Sequence, residues 1–81
     1  MERVNQRENH ILGKNIKRLR LEHNLRNRDV LTQLQLRGVD IARSTYSKVE
    51  MGINNPTVDL LIALADLYQI SFDEFFKTTE D

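Results

Sequence analysis

Leu12, Ile16 and Leu19 recur at intervals of four and three residues, the spacing that lines one face of a helix. Lys14, Lys17 and Arg18 fall largely off that face. The run stops at Asn24, a residue type that tolerates the left-handed conformation in which helices end. Val30, Leu31 and Leu34 predict a second, short helix starting near Asn27, whose side chain can cap it. A turn is expected at Arg37-Gly38, and a third helix runs from about Arg43 to Met51 and stops at Gly52. INNPT follows as a loop, because Pro56 keeps Asn55 out of the helical region. Thr57 is placed to cap a fourth helix through VDLLIALADLYQ, with Asp59 in its first turn facing the positive end of the dipole. Val58, Leu61, Leu64, Ala65 and Tyr68 are its expected core residues. Ser71 and Glu74 have the spacing of a capping box, which predicts a last short helix carrying Phe72, Phe75 and Phe76. No segment alternates as a strand does. The pattern therefore predicts an all-α fold of five helices, with a flexible arm over 1–10, a compact domain over 11–77 and a tail over 78–81.

Eighty-one residues make one small domain with a modest core. There is no cysteine, so neither a disulfide framework nor a thiolate metal site supplements that core, in keeping with a reducing cytoplasm. No apolar run approaches the roughly 20 residues of a membrane span. The opening MERVNQRENH lacks the apolar core of a secretion signal, so a cytoplasmic protein is expected. The net charge is zero, which at first argues against a nucleic-acid partner. Its distribution argues the other way: residues 1–52 carry eleven Lys and Arg against six Asp and Glu, a balance of +5, and residues 53–81 carry one against six, or −5. Such segregation points to a first half that faces a polyanion.

Catalytic and metal chemistry find little to stand on. His10 and His23 lie thirteen apart, without the spacing that puts two ligands on one helical face, and no metal or cofactor is expected. Asp73 and Glu74 could pass for paired carboxylates, yet dipole compensation and the cap account for both. Gly38 and Gly52 form no phosphate-cradling loop, so neither an enzyme nor a small-molecule ligand is expected.

The third helix, in IARSTYSKVEMG, has an unusual outer face. Tyr46 and Val49 supply an apolar inner side, whereas Arg43, Ser44, Ser47 and Lys48 are short or cationic. A helix that enters a DNA groove about 12 Å wide needs such a face, together with tight packing behind it and cations nearby for phosphates. The blocks GKNIKRLR at 13–20, RSTYSKVEMG at 43–52 and NPTVDLLIALADLYQISFDEFF at 55–76 resemble the helix-turn-helix family of Cro and phage repressors, also called the XRE family. The resemblance covers about Leu12 to Phe76. It implies a lambda-repressor-like domain that binds double-stranded DNA as a transcriptional regulator, with Arg43, Ser44, Ser47 and Lys48 at base edges. It further implies phosphate contacts from Asn27, Arg28 and Thr45, with Lys14 and Lys17 in support, and a structural pair between Arg20 and Glu50.

The chain departs from the family's pattern in four places. Gln35 to Ala42 extends the turn between helices two and three by about five residues, so the third helix can be presented at a different tilt. Arg26-Asn27 replaces a usual Thr-Gln, Leu31 replaces a usual Ala, and Ala42 stands where a capping Ser or Thr is common. That last change leaves the amides of the third helix open to a phosphate or to Asp40. Helix four also carries a second apolar stripe, Leu60, Ala63 and Leu67, which is expected to be a homodimer interface. The resulting expectation is a dimeric repressor that reads two half-sites. The alternative is a protein-interaction module, antirepressor or antitoxin-like, that uses the apolar face of helices four and five.

Overall fold

The computed structural model describes residues 3–4 and 10–78. Four α-helices and one 3₁₀ helix follow in order: α1 (Ile11–Glu22), α2 (Asn27–Leu36), α3 (Arg43–Glu50), α4 (Val58–Tyr68) and the 3₁₀ helix (Phe72–Phe76). The all-α fold is the one the periodicity predicts, with the fifth helix reduced to a 3₁₀ turn. Ser71 makes no side-chain cap there. The Glu74 carboxylate turns instead to two cations, Arg18 at 3.5 Å and Lys77 at 3.3 Å. Charge-assisted contacts of that kind outcompete a neutral cap.

All four α-helices end in the same way. Asn24, Gly38, Gly52 and Gln69 adopt positive φ of 58°, 86°, 82° and 55°. At each end a 6→1 and a 5→2 backbone bond close the last turn, as from Val39 N–H to Leu34 O (2.9 Å) and Gly38 N–H to Gln35 O (3.0 Å). Gly52 has a second reason to be glycine, since a Cβ there would lie 2.5 Å from the His10 ring. Gln69 is the exception to the residue preference, because its Cβ meets the steric cost of the left-handed region. Gln69→Gly should therefore raise stability by about 0.5–1 kcal/mol, seen as a higher urea midpoint at unchanged slope. An unchanged or lower midpoint would show that the Gln69 side-chain bond to the Asp66 carbonyl (2.6 Å) offsets the strain.

The helix starts vary more. Thr57 caps α4, its Oγ1 accepting from Leu60 N–H at 3.1 Å. At α2 the capping position belongs to Arg26, and Asn27 is already inside the helix. The Asp29 carboxylate accepts from the Arg26 N–H at 2.9 Å, and that bond holds its pKa below the usual carboxylate range. α2 also runs on through Gln35 and Leu36, so the connection to α3 is shorter than expected and spans residues 37–42. Two residues of the anticipated turn, Gln35 and Leu36, are helix instead.

The core joins Leu12, Ile16 and Leu19 of α1 to Val30 and Leu34 of α2, Tyr46 and Val49 of α3, five residues of α4 and Phe75. Leu31 packs against its edge, half-buried. α4 corrects two expectations. Leu60 and Ala63 are buried at 1% and 5% exposure and Leu67 is half-buried, whereas Val58 is exposed. α4 is gripped from two sides, by α2 and by the 3₁₀ helix, so a wide arc of its surface faces inward. Of the expected dimer stripe, Leu60 and Ala63 are core and Leu67 packs against it, so this stripe cannot serve as a partner surface; Val58, Ile62, Phe72 and Phe76 are the apolar residues of helices four and five left exposed.

A polar residue locks the chain's far end to its beginning. Asn15 is buried, and its Nδ2 donates to the carbonyls of Phe75 (2.7 Å) and Lys77 (2.9 Å). Near the other terminus, Arg3 pairs with Thr57 in an isolated antiparallel bridge, and Val4 N–H donates to Pro56 O at 2.8 Å. Part of the expected arm is thus docked on the loop before α4; residues 1–2 and 5–9, and residues 79–81 of the expected tail, lie outside the described residues. Among the described residues no helix is long and apolar enough to cross a membrane.

Candidate nucleic-acid interface

α3 is fastened on its inner side and open on its outer side. Tyr46 and Val49 are fully buried and anchor it. Glu50 meets Arg20 of α1, with Nε donating to Oε2 at 2.7 Å and the second guanidinium nitrogen donating to Oε1 at 3.0 Å. The remaining guanidinium nitrogen donates to the Leu25 carbonyl at 3.0 Å, so the same side chain also closes the end of α1. Little of this pair meets water, with side-chain exposures of 12% and 6%. The bond to Glu50 raises the Arg20 pKa further, so the charge is permanent. Burial first, and the Glu50 carboxylate second, push the hydroxyls of Tyr46 and Tyr68 well above the ordinary phenol value.

On the outer side, Ser44, Lys48 and Met51 succeed one another at intervals of four and three residues and form one exposed edge. Met51 was read in the sequence only as the end of the helix, yet it is 65% exposed. Its spacing from Ser44 and Lys48 is the signal that places it on the edge. Arg43 and Ser47 make a parallel row on the side of α2. Arg43 is exposed; Ser47 is half-buried, because Asn27 Nδ2 donates to its Oγ at 3.1 Å. Asn27 therefore neither caps α2 nor presents its amide outward, and its Oδ1 is buried without a partner. Thr45 lies on the opposite flank, lining a hollow together with Asp40, Ile41 and Asp59. Arg3 lines the same hollow, and the structure does not bring Thr45 together with Asn27 and Arg28. Ala42 supplies no side-chain cap, so the first-turn amides of α3 stay open.

The cations sort into two classes. Arg18, Arg20, Arg26, Arg37 and Lys77 are each paired with a carboxylate. Arg3, Lys14, Lys17, Arg28, Arg43 and Lys48 are exposed and make no ion pair with a described residue. All but Arg3 sit on α1, α2 or α3. Lys17 lies one turn before Arg20, on the flank of α1 that meets α3, and Lys14 lies a turn earlier. Unpaired cations around an open helix are the electrostatic footprint of a polyanion site.

The histidines serve the packing. His23 stacks on Tyr68 with ring centroids 4.5 Å apart, and its Nδ1–H donates to the Leu19 carbonyl at 2.7 Å. Among the described residues no cluster of His, Asp or Glu could hold a metal ion.

No curated protein and no solved structure matches the chain. A family model described as helix-turn-helix matches residues 16–75, which spans the second half of α1 through Phe75 and takes in the whole of α2, α3 and α4. The chain belongs to this helix-turn-helix family, of the Cro and C1-repressor (XRE) type, a family of DNA-binding transcriptional regulators.

Proposed function

We propose that the protein is a sequence-specific repressor that inserts α3 into the major groove and binds as a homodimer. The observation that carries this reading is the open face of α3: Arg43, Ser44 and Lys48 exposed and unpaired, on a helix whose other side is fixed by Tyr46, Val49 and Glu50. Arg43, Ser44, Ser47 and Lys48 face the base edges, and Met51 adds an apolar tip suited to a thymine methyl group. Arg28, Lys14, Lys17 and the open first-turn amides of α3 take the phosphates. Thr45 is left out of that set because it lies on the flank of α3 away from Asn27 and Arg28.

Two copies would read half-sites about 34 Å apart, one helical turn of DNA. With Leu60 and Ala63 inside the core, the contact between copies falls to other apolar residues; Phe72 and Phe76, each about half exposed on the 3₁₀ helix, are the largest available. Repression follows from occupancy, since a protein seated in the groove excludes polymerase from the same DNA.

Selection from a random DNA pool tests the reading directly. A palindrome with half-sites one turn apart is the expected result, and recovery of no preferred sequence would refute it. The three cations assigned to phosphates, Arg28, Lys14 and Lys17, set a second expectation. The logarithm of affinity should fall with the logarithm of salt at a slope of about −3 per bound copy. A slope near zero would mean that these cations do not meet phosphates.

A further inference from the structure

The hydrogen bond between α2 and α3 fixes the chemical sense in which one residue can read DNA. A serine hydroxyl has one proton to donate and two lone pairs to accept with, so an isolated serine is indifferent to the base edge it meets. Ser47 is not isolated. Asn27 Nδ2 donates to its Oγ at 3.1 Å, which occupies a lone pair and turns the hydroxyl proton away from Asn27. The opposite orientation of the amide would put its two N–H groups where Oδ1 now lies, buried and without a partner. Stranding two donors there costs more than leaving one carbonyl unsatisfied. Within the described residues no other hydrogen bond is made by Ser47 Oγ, so its O–H can donate outward.

We propose that Ser47 reads its base as a hydrogen-bond donor and that Asn27 is the positioning residue that sets this polarity. The proposal rests on the placement of α3 in the major groove. There, guanine offers O6 and N7, adenine N7 and thymine O4 as acceptors, whereas cytosine presents only its N4 amino group. Ser47 thus disfavours cytosine at the base it faces. Ser47 is half-buried beside Asn27, in the same row as the exposed Arg43.

Asn27→Asp offers a test that an ordinary packing role would not pass. A carboxylate has no proton, so it accepts from the Ser47 hydroxyl and leaves only lone pairs facing outward. An acid in the first turn of α2 also suits the helix dipole, so this variant keeps its fold, which circular dichroism verifies. Random-pool selection is run on the native chain, Ser47→Ala and Asn27→Asp, comparing base preference position by position rather than overall affinity. The native chain should disfavour cytosine about tenfold at one position of each half-site. Ser47→Ala should lose that discrimination and keep the other positions, and Asn27→Asp should turn the same position toward cytosine or adenine. Enrichment by the native chain with an unchanged profile in Ser47→Ala would overturn the reading by Ser47. An unchanged profile in Asn27→Asp would overturn the role of Asn27. No enrichment by the native chain would remove the placement of α3 on which both depend.

Discussion

Glu50→Ala is expected to lower the stability of the fold by about 3 kcal/mol, the low end of the cost of removing one partner of a buried ion pair. The Arg20 guanidinium would keep its bond to the Leu25 carbonyl but lose both contacts to Glu50, while remaining only 12% exposed. A domain of this length holds about 4–12 kcal/mol in all, so the loss is a large share of the total. Urea unfolding gives the number, and two companions locate its cause. Glu50→Gln keeps an acceptor for the guanidinium and should lose less. Replacing Arg20 and Glu50 together by methionine should recover much of the loss, because it removes the stranded charge along with the pair. A native midpoint for Glu50→Ala would mean that α3 is held by Tyr46 and Val49 alone.

Arg43→Ala should weaken binding to the selected site by about 1–3 kcal/mol and relax the preference at one base position. It should barely change binding to random DNA, which depends on phosphates. Lys17→Ala makes the contrast: weaker binding to every sequence and a salt slope shallower by about one, with the base preferences intact. The two variants separate because Arg43 is on the open face of α3, whereas Lys17 is on α1 beside it. If Arg43→Ala weakened all sequences equally and kept every base preference, Arg43 would be a phosphate contact and the base-reading edge would reduce to Ser44, Ser47, Lys48 and Met51.

The elements were legible where local chemistry decides them. Leu12, Ile16 and Leu19 mark the buried face of α1, and Asn24, Gly38 and Gly52 mark helix ends because positive φ selects those residue types. Gln69 ends α4 in the same geometry but gives no such signal, since a glutamine is not chosen for that conformation. The residues that defeated a linear reading are those whose partners are far away in sequence. Asn15 bonds across 60 positions to Phe75, and Asn27 across 20 to Ser47; neither pairing leaves a trace in spacing. Leu60 and Ala63 looked like a second, outward stripe because helical periodicity counts faces without knowing how many neighbours grip the helix. The bonding of Ser47 to Asn27 was likewise invisible, and it changes what the candidate edge can read.

The division of cations into paired and unpaired has a consequence for handling. A chain with a net charge of zero would ordinarily pass through a charged resin near neutral pH. Here Lys14, Lys17, Arg28, Arg43 and Lys48 on α1, α2 and α3 have no carboxylate partner among the described residues, and a resin samples one face at a time. The protein should therefore be held on heparin or a sulfonated matrix as a basic protein is, and elute only as the salt rises.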